Sequence, residues 1–98
     1  MIFRGGLHVG ASYYNAINAS WPFAKLNIEK ESIAISSPFG NPRFSRAQIT
    51  KLSKYSGFFS KGVKIEHSAK QPPFIVFWTF DLPSVKRALE ENGYQFSE

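Results

Sequence analysis

The chain has 98 residues, which is the size of one domain and leaves no room for a multi-domain enzyme. Hydrophobic residues make up 43% of it and aromatic residues 16%, so it can bury a core. The absence of cysteine excludes disulfides, thiolate metal sites and cysteine nucleophiles. No apolar run approaches the roughly 20 residues of a membrane-spanning helix, and no signal-peptide core precedes Arg4. We therefore expect one soluble, cytoplasmic domain, 1–98.

The net charge of +5 is concentrated in one stretch. Residues 43–70 contain seven Lys or Arg and one Glu, a net charge of +6, whereas the rest of the chain has five basic and six acidic residues. Such a stretch is typical of a solvated, Lys-rich sheet surface, and it also suits an anionic partner such as a membrane or a nucleic acid. The candidate contacts with an anionic surface are Lys51, Lys54, Lys61 and Lys64.

The first 20 residues interleave glycines with Asn and Ser, a composition that breaks regular structure. We therefore predict an irregular N-terminal arm, 1–20, with at most one strand, near 11–15. Within 21–80, apolar and polar residues alternate with a period of two, which predicts six antiparallel strands. The first two strands form a hairpin, because the alternating runs 24–29 and 32–36 are joined by a short turn.

The later strands are predicted around residue 44 and over 50–55, 63–67 and 74–80, although the spacing of apolar residues near 50–55 would also suit one helical turn. The run 74–80 is β-branched and aromatic on both faces, so each face needs a cover. We expect one face in the core and the other beneath the helix or a second subunit. Ile75 and Phe77 are therefore the candidate residues of a self-association strand.

The last element is predicted to be a helix over 82–92. Asp81 can cap its first turn, and Gly93 can end it in the left-handed conformation. Tyr94 then falls where a Schellman ending makes a hydrophobic contact with Leu89. We expect this helix to pack against the sheet.

The loop between Gly57 and Gly62 carries two adjacent aromatic residues, Phe58 and Phe59, with lysines on both sides. One interpretation turns at least one phenylalanine into the core, because aromatic residues supply much of the core of a small domain. The other makes the loop an adhesive tip that touches a membrane weakly, with Phe inserting and Lys lying over anionic lipid.

Groups able to do acid–base chemistry are two histidines, one Asp and six Glu, and no spacing brings them together. His67 lies on the apolar phase of its strand with Val63 and Ile65, which favours a packed structural histidine. Two distant histidines do not make a zinc site, since zinc needs three or four ligands. We therefore predict no catalytic residue, no metal, no cofactor and no small-molecule substrate.

The predicted elements indicate a mainly β (α+β) fold. The run Trp21–Leu26, the corner Ser37–Gly40, and the segments Phe44–Arg46 and Gly62–Ile65 resemble those of small bacterial pleckstrin-homology-like (PH-like) domains. The resemblance spans 21–93 and rests on strand order and corner residues. It implies a curved antiparallel sheet or partly open barrel capped by one C-terminal α-helix, in a module that docks proteins, lipids or copies of itself.

Three classes of function remain at this stage. The leading hypothesis is a non-catalytic PH-like module that docks a protein partner, itself or, weakly, an anionic membrane surface. The alternative is single-stranded nucleic-acid binding through the basic segment 43–70, since aromatic residues on a basic sheet can stack bases. The third is a small enzyme, which would need a pocket lined by Tyr13, Tyr14, His67 and a carboxylate.

Overall fold

The computed structural model describes residues 1–12, 16–57 and 61–98. Within them, seven strands form one antiparallel sheet, in the order β4-β3-β2-β1-β7-β6-β5, that curves into a half-barrel. One C-terminal helix follows, so the predicted mainly β fold is confirmed. The elements are β1 (Ile2–Gly10), β2 (Ala16–Ile28), β3 (Ser32–Ser36), β4 (Arg43–Ser45), a 3-10 helix (Arg46–Gln48), β5 (Ile49–Ser56), β6 (Lys61–His67), β7 (Phe74–Thr79) and α1 (Leu82–Glu91).

The largest difference from the sequence expectation lies at the N-terminus. Instead of an irregular arm, residues Ile2–Gly10 form the central strand of the sheet, between β2 and β7, and β2 already begins at Ala16. The glycines explain the error. A Cβ atom on Gly5 would lie 2.0 Å from the carbonyl oxygen of Trp78 and 2.5 Å from a ring carbon of Phe77. Gly5 thus permits the close approach of β7 rather than ending the strand.

A bulge in β2 bends the sheet. The pairings on either side of Gly6 leave four residues of β2, 20–23, opposite that single residue of β1. The bulge contains the cis peptide bond between Trp21 and Pro22. Extra residues of this kind interrupt the ladder and bend the strand. Consequently, the first half of β1 continues the β2–β3–β4 side of the sheet and its second half pairs with β7.

The core lies on one face of the sheet, here called the inner face, and α1 covers it. Its members are apolar and almost completely buried, as alternating strand residues that share one face should be. They are Leu7, Ala19, Ala24, Leu26, Ile28, Ile33, Ile35, Phe44, Leu52, Val63, Ile65, Ile75 and Phe77 of the sheet, with Val85, Ala88 and Leu89 of α1 and Tyr94 beyond it.

The capping predicted at both ends of α1 is confirmed. The main-chain N–H of Ser84 donates to the Asp81 carboxylate over 3.3 Å, and hydrogen bonds from the Ser84 hydroxyl and this N–H lower the pKa of the Asp81 carboxyl. Gly93 has a φ of 85°, and the N–H of Tyr94 donates to the carbonyl of Leu89 over 2.9 Å, as in a Schellman ending. The helix ends one residue earlier than predicted, at the residue before its C-cap.

The 3-10 helix between β4 and β5 carries Arg46, which ties three segments together. Its guanidinium donates to the carbonyl of Lys30 in the β2–β3 turn over 2.8 Å, to that of Asn92 over 2.9 Å, and to that of Gly93. It also lies 4.6 Å from the centre of the Tyr94 ring. A cation at the C-terminus of a helix is favourable because the last carbonyls there lack intrahelical partners. Arg46 therefore fastens α1 across the half-barrel.

The structure also settles whether residues 50–55 form a strand or a helical turn. Residues 49–56 form a strand along their whole length, and the helical turn lies just before them. In the part of the chain that the structure describes, no helix combines the length and the apolar character needed to cross a membrane.

Candidate interaction sites

The two faces of the sheet differ strongly in charge. Directly paired residues of neighbouring strands lie on the same face, so the strand registers assign each side chain to the inner face or to the opposite, outer face. Only one acidic strand residue, Glu66, lies on the outer face. The basic strand residues on that face are Arg4, Lys25, Arg43, Lys51 and Lys64.

The four lysines that we predicted as an anionic-surface contact do not share one face. Lys51 pairs with Glu66, and Lys64 pairs with Ser53, all on the outer face. The other two, Lys54 and Lys61, lie in register with Val63 and Thr79, whose side chains are on the inner face. The sequence signal was a count of charges along the chain, which does not report the face that each residue occupies.

An aromatic cluster covers the centre of the outer face. The ring of Phe74 meets those of His8 and Tyr55 edge to face, at centroid distances of 5.5 and 5.6 Å. The ring of Trp78 meets the same two side chains at 6.3 and 5.7 Å. The ammonium of Lys64 lies 5.6 Å from the centre of the Phe74 ring. Phe74 is only 9% exposed, although the one α-helix of the described residues packs on the inner face.

The candidate self-association residues lie inside the molecule. Ile75 and Phe77 have no exposed surface, and both belong to the inner-face core, which includes residues of α1. Their side chains therefore cannot touch a second subunit in this conformation. Among the described residues, β7 is covered by the same chain, because residues of α1 belong to the inner-face core and the aromatic cluster lies on the outer face.

Three large aromatic side chains remain exposed near the β2 bulge. Trp21 is 51% exposed, Phe23 65% and Phe80 76%, and the rings of Trp21 and Phe80 meet at 5.5 Å. Beside them, Arg4 and Lys25 are directly paired across β1 and β2, and both are exposed. We call these five residues the bulge patch. Sequence reasoning missed it, because the Trp-Pro-Phe triplet was used only as part of a family resemblance.

The edge strand β5 carries a second candidate site. The N–H of Ser97 donates to the carbonyl of Leu52 over 2.9 Å, and the N–H of Lys54 donates to the carbonyl of Ser97 over 2.8 Å, in parallel orientation.

Side chains of the tail also contact the domain. Phe96 packs partly buried against the core, and Glu98 forms an exposed ion pair with Lys86. That hydrogen-bonded pair raises the pKa of Lys86 and lowers the pKa of Glu98. The tail thus caps part of the β5 edge.

An uncharged groove of about 590 Å³ lies at one end of the inner face. Leu7, Val9 and Ile17 line its floor, and the loops bearing Phe39 and Pro72 form its rim. The described residues that line it include no ionisable side chain. The described lining of the groove therefore offers apolar contacts and no acid or base for catalysis.

His67 is held at the end of β6. Its Nδ1 accepts a hydrogen bond from the N–H of Ala69 over 3.1 Å, so the proton is on Nε2, which donates to the carbonyl of Pro72 over 2.9 Å. The ring also packs against Phe44 at 4.6 Å. These contacts match the packed structural histidine that we expected. Among residues 1–12, 16–57 and 61–98, no three His, Asp or Glu side chains are grouped so that they could hold a metal ion.

Some predictions concern residues outside those that the structure describes. The loop tip, Phe58 and Phe59, belongs to 58–60, and most of the strand expected near 11–15 belongs to 13–15. The enzyme hypothesis invoked Tyr13 and Tyr14, which also lie there. Comparison of the chain with models of protein families, with curated proteins and with solved structures finds no match.

Proposed function

We propose that this chain is a non-catalytic interaction module of the PH-like kind, which binds an extended segment of a partner protein along the edge of β5. The observation that carries the proposal is the chain's own tail, which already lies on that edge and pairs with it through main-chain hydrogen bonds. Strand addition of this kind is a common way of recognising peptides, since the main chain supplies affinity and side-chain pockets supply specificity.

The strand order supports a PH-like assignment. A curved sheet of seven antiparallel strands, followed by one C-terminal helix, is compatible with that fold. β5 lies at the end of the sheet, and the residues that follow α1 return to it. An extended segment can therefore reach an open strand edge beside the helix.

The β5 edge has room for a longer segment than the tail. The main-chain groups of alternate strand residues face the same edge. Beyond the bulge at residue 50, the residues whose main-chain groups face this edge are 52, 54 and 56. Of these, the tail uses the carbonyl of Leu52 and the N–H of Lys54. A partner segment of five or more residues could pair with several of the remaining groups, and unpaired edge groups of this kind favour strand addition.

The tail also indicates the chemistry of the partner. Phe96 occupies a partly buried position against the core, and Glu98 lies near Lys86 and Lys54. A segment with an aromatic residue followed two positions later by an acidic one would reproduce both contacts. We therefore propose an extended partner segment of the form aromatic-x-acidic.

Displacing the tail should cost little. It is held by two main-chain hydrogen bonds, by one partly buried ring and by an ion pair between exposed side chains. Ion pairs on the surface contribute little to stability, because water and salt screen the two charges. A partner that forms more main-chain hydrogen bonds than the tail can therefore compete with it.

The test uses the full chain and a labelled peptide with the sequence of residues 93–98. In one variant, Phe96→Ser and Ser97→Pro together remove the anchor and the N–H that donates to Leu52. The matched control, Ser97→Ala, keeps every main-chain hydrogen bond. We expect the peptide to bind the double variant at least about tenfold more tightly than the wild type, because the wild-type tail occupies the edge. Fluorescence anisotropy gives both affinities.

Three results would count against this function. A folded double variant that does not bind the peptide would exclude the β5 edge as a docking site. Equal binding of the unmodified peptide and of one with Ser in place of its Phe would exclude the aromatic anchor. If the wild type instead forms dimers that disappear in the double variant, the edge belongs to the tail of a second copy and not to a partner protein.

Single-stranded nucleic-acid binding through residues 43–70 is the alternative. Its support is the net charge of that segment. It is less favoured because Lys54 and Lys61 do not lie on the outer face with Lys51 and Lys64, and because Phe74 is too buried to stack on a base. Anisotropy with labelled single-stranded oligonucleotides at two salt concentrations decides between the two functions.

A further inference from the structure

We propose that the bulge patch, Trp21, Phe23, Phe80, Arg4 and Lys25, is a second and independent site that inserts into the surface of an anionic membrane. It does not involve the β5 edge. The patch combines the two features that peripheral membrane contact requires, exposed aromatic rings and adjacent cations.

The aromatic part of the patch projects away from the core. Ala24 is completely buried on the inner face, so its chain neighbours Phe23 and Lys25 point outward. Trp21 and Phe80 are in ring contact with each other yet remain half or more exposed. Tryptophan and phenylalanine are costly to leave in water, and tryptophan favours the interface between lipid headgroups and acyl chains. The bulge region thus presents two exposed rings in contact, with a third exposed ring, that of Phe23, two residues further along β2.

The basic part of the patch consists of Arg4 and Lys25, on the outer face of β1 and β2. Arg4 and Lys25 are direct cross-strand partners, a pairing of like charges that disfavours the sheet. Neither forms an ion pair with a described residue. An anionic surface would relieve this repulsion while the neighbouring rings insert.

The distribution of acidic residues also favours an orientation in which the outer face of the sheet meets the membrane. Only Glu66 lies on the outer face of the sheet. The other acidic residues lie in the β2–β3 turn, at the two ends of α1 and in the tail: Glu29, Glu31, Asp81, Glu90, Glu91 and Glu98. The molecule therefore meets an anionic surface more favourably with the outer face than with the helix side.

The test is co-sedimentation with vesicles of phosphatidylglycerol and phosphatidylcholine, and with vesicles of phosphatidylcholine alone, at two salt concentrations and millimolar lipid. We expect binding to the anionic vesicles that weakens as salt is raised. Phe80→Ser should reduce the partition coefficient about tenfold or more, because one inserted ring is lost. The matched control is Phe39→Ser, which replaces another exposed phenylalanine, on the rim of the inner groove. It should have no effect.

The charge contribution is tested in the same assay. Lys25→Glu should weaken binding roughly 25-fold, since a reversal removes one attraction and adds one repulsion of about fivefold each. Lys30→Glu, in the exposed β2–β3 turn, should change it by less than about threefold, because the lysine lies outside the outer face and feels the surface only through screened, longer-range attraction. Brominated lipid should also quench the tryptophan fluorescence of Trp21→Phe less than that of the wild type, although the variant retains the second tryptophan, Trp78.

Several outcomes would overturn the membrane site. These are binding that ignores lipid charge, equal losses for Phe80→Ser and Phe39→Ser, or no sedimentation of folded wild type with anionic vesicles. If the wild type does not bind vesicles but self-associates, and Phe80→Ser abolishes the association, the patch is an interface between copies of the chain. Peptide binding at the β5 edge is measured without lipid, so failure of one site does not decide the other.

Discussion

The two faces of β7 are both apolar, but they are buried in different ways. On the inner face, Ile75 and Phe77 are completely buried in the core, which includes residues of α1. On the outer face, Phe74 and Val76 are nearly as buried, and the described side chains that contact Phe74 there, His8, Tyr55 and Lys64, belong to neighbouring strands of the same sheet. Two mechanisms therefore produce almost the same burial.

This difference shows that an apolar run does not by itself demand two further layers of structure. Wide side chains on adjacent strands lie about 5 Å apart and can close over a smaller neighbour between them. Long basic side chains contribute as well, because their methylene stems cover apolar surface while the charge stays in water. In the part of the chain that the structure describes, the outer cover consists of side chains of the sheet itself, whereas the inner core includes residues of a helix, so the two should respond differently to truncation.

The largest expected effect compares the same substitution on the two faces. Phe77→Ala leaves a cavity between the sheet and α1 and should lower the free energy of unfolding by about 3–5 kcal/mol. Phe74→Ala removes a ring from the outer aromatic cluster, where side chains of the sheet can move into the space, and should cost about half as much. Urea unfolding of both variants measures the difference. Equal losses would show that the two faces are packed alike.

A smaller effect concerns the fastening of the inner cover. The Tyr94 hydroxyl donates to the carbonyl of Glu29 over 2.8 Å, and Tyr94→Phe should cost about 1 kcal/mol at neutral pH. Burial raises the pKa of Tyr94 above its ordinary value of 10.0. This contribution is therefore fully present below about pH 10 and is lost as pH rises through the pKa of the folded state.

Thermal unfolding at increasing pH checks this sign. The wild type should lose stability above the ordinary tyrosine pKa more steeply than Tyr94→Phe, which has no hydroxyl to ionise at that position. The other tyrosines are common to both proteins and cancel in the difference. A variant that loses stability as steeply as the wild type would show that Tyr94 does not contribute to the alkaline transition.

The smallest effect is expected for the lysine of the outer cover. Lys64→Ala removes the ammonium from the Phe74 ring and the stem from the sheet surface, and it should cost about 0.5–1 kcal/mol. Lys70→Ala, an exposed lysine in the β6–β7 loop, is the matched control and should cost nothing measurable. If the two variants have the same stability, lysine stems do not shield the outer face.

Local patterns in the sequence predicted much of the fold. Asp81 and Gly93 marked the ends of α1 because capping needs only near neighbours in the chain. Alternation found the strands from β2 to β7 for the same reason. The glycine-rich start of β1 misled, since the need for Gly5 arises from a strand more than 70 residues later, and a composition rule cannot see that contact.

The candidate sites were harder to predict than the fold. The lysines were grouped by their distance along the chain, whereas the registers place Lys54 and Lys64 on opposite faces. The bulge patch depends on four β2 residues facing one of β1, an irregularity that has no period to detect. The pairing of Ser97 with β5 joins segments that no local pattern relates.

Arg46 gives the half-barrel a kinetic property. The carbonyl groups that it binds lie 16 residues before it and 46 and 47 residues after it, so one side chain closes a short loop and a long one. Contacts of such long sequence separation can form only after most of the chain has collapsed. Arg46→Met should therefore accelerate unfolding much more than it slows folding. We therefore expect the contacts of Arg46 to form late in folding, so that they slow unfolding and lengthen the lifetime of the folded state with little effect on the folding rate.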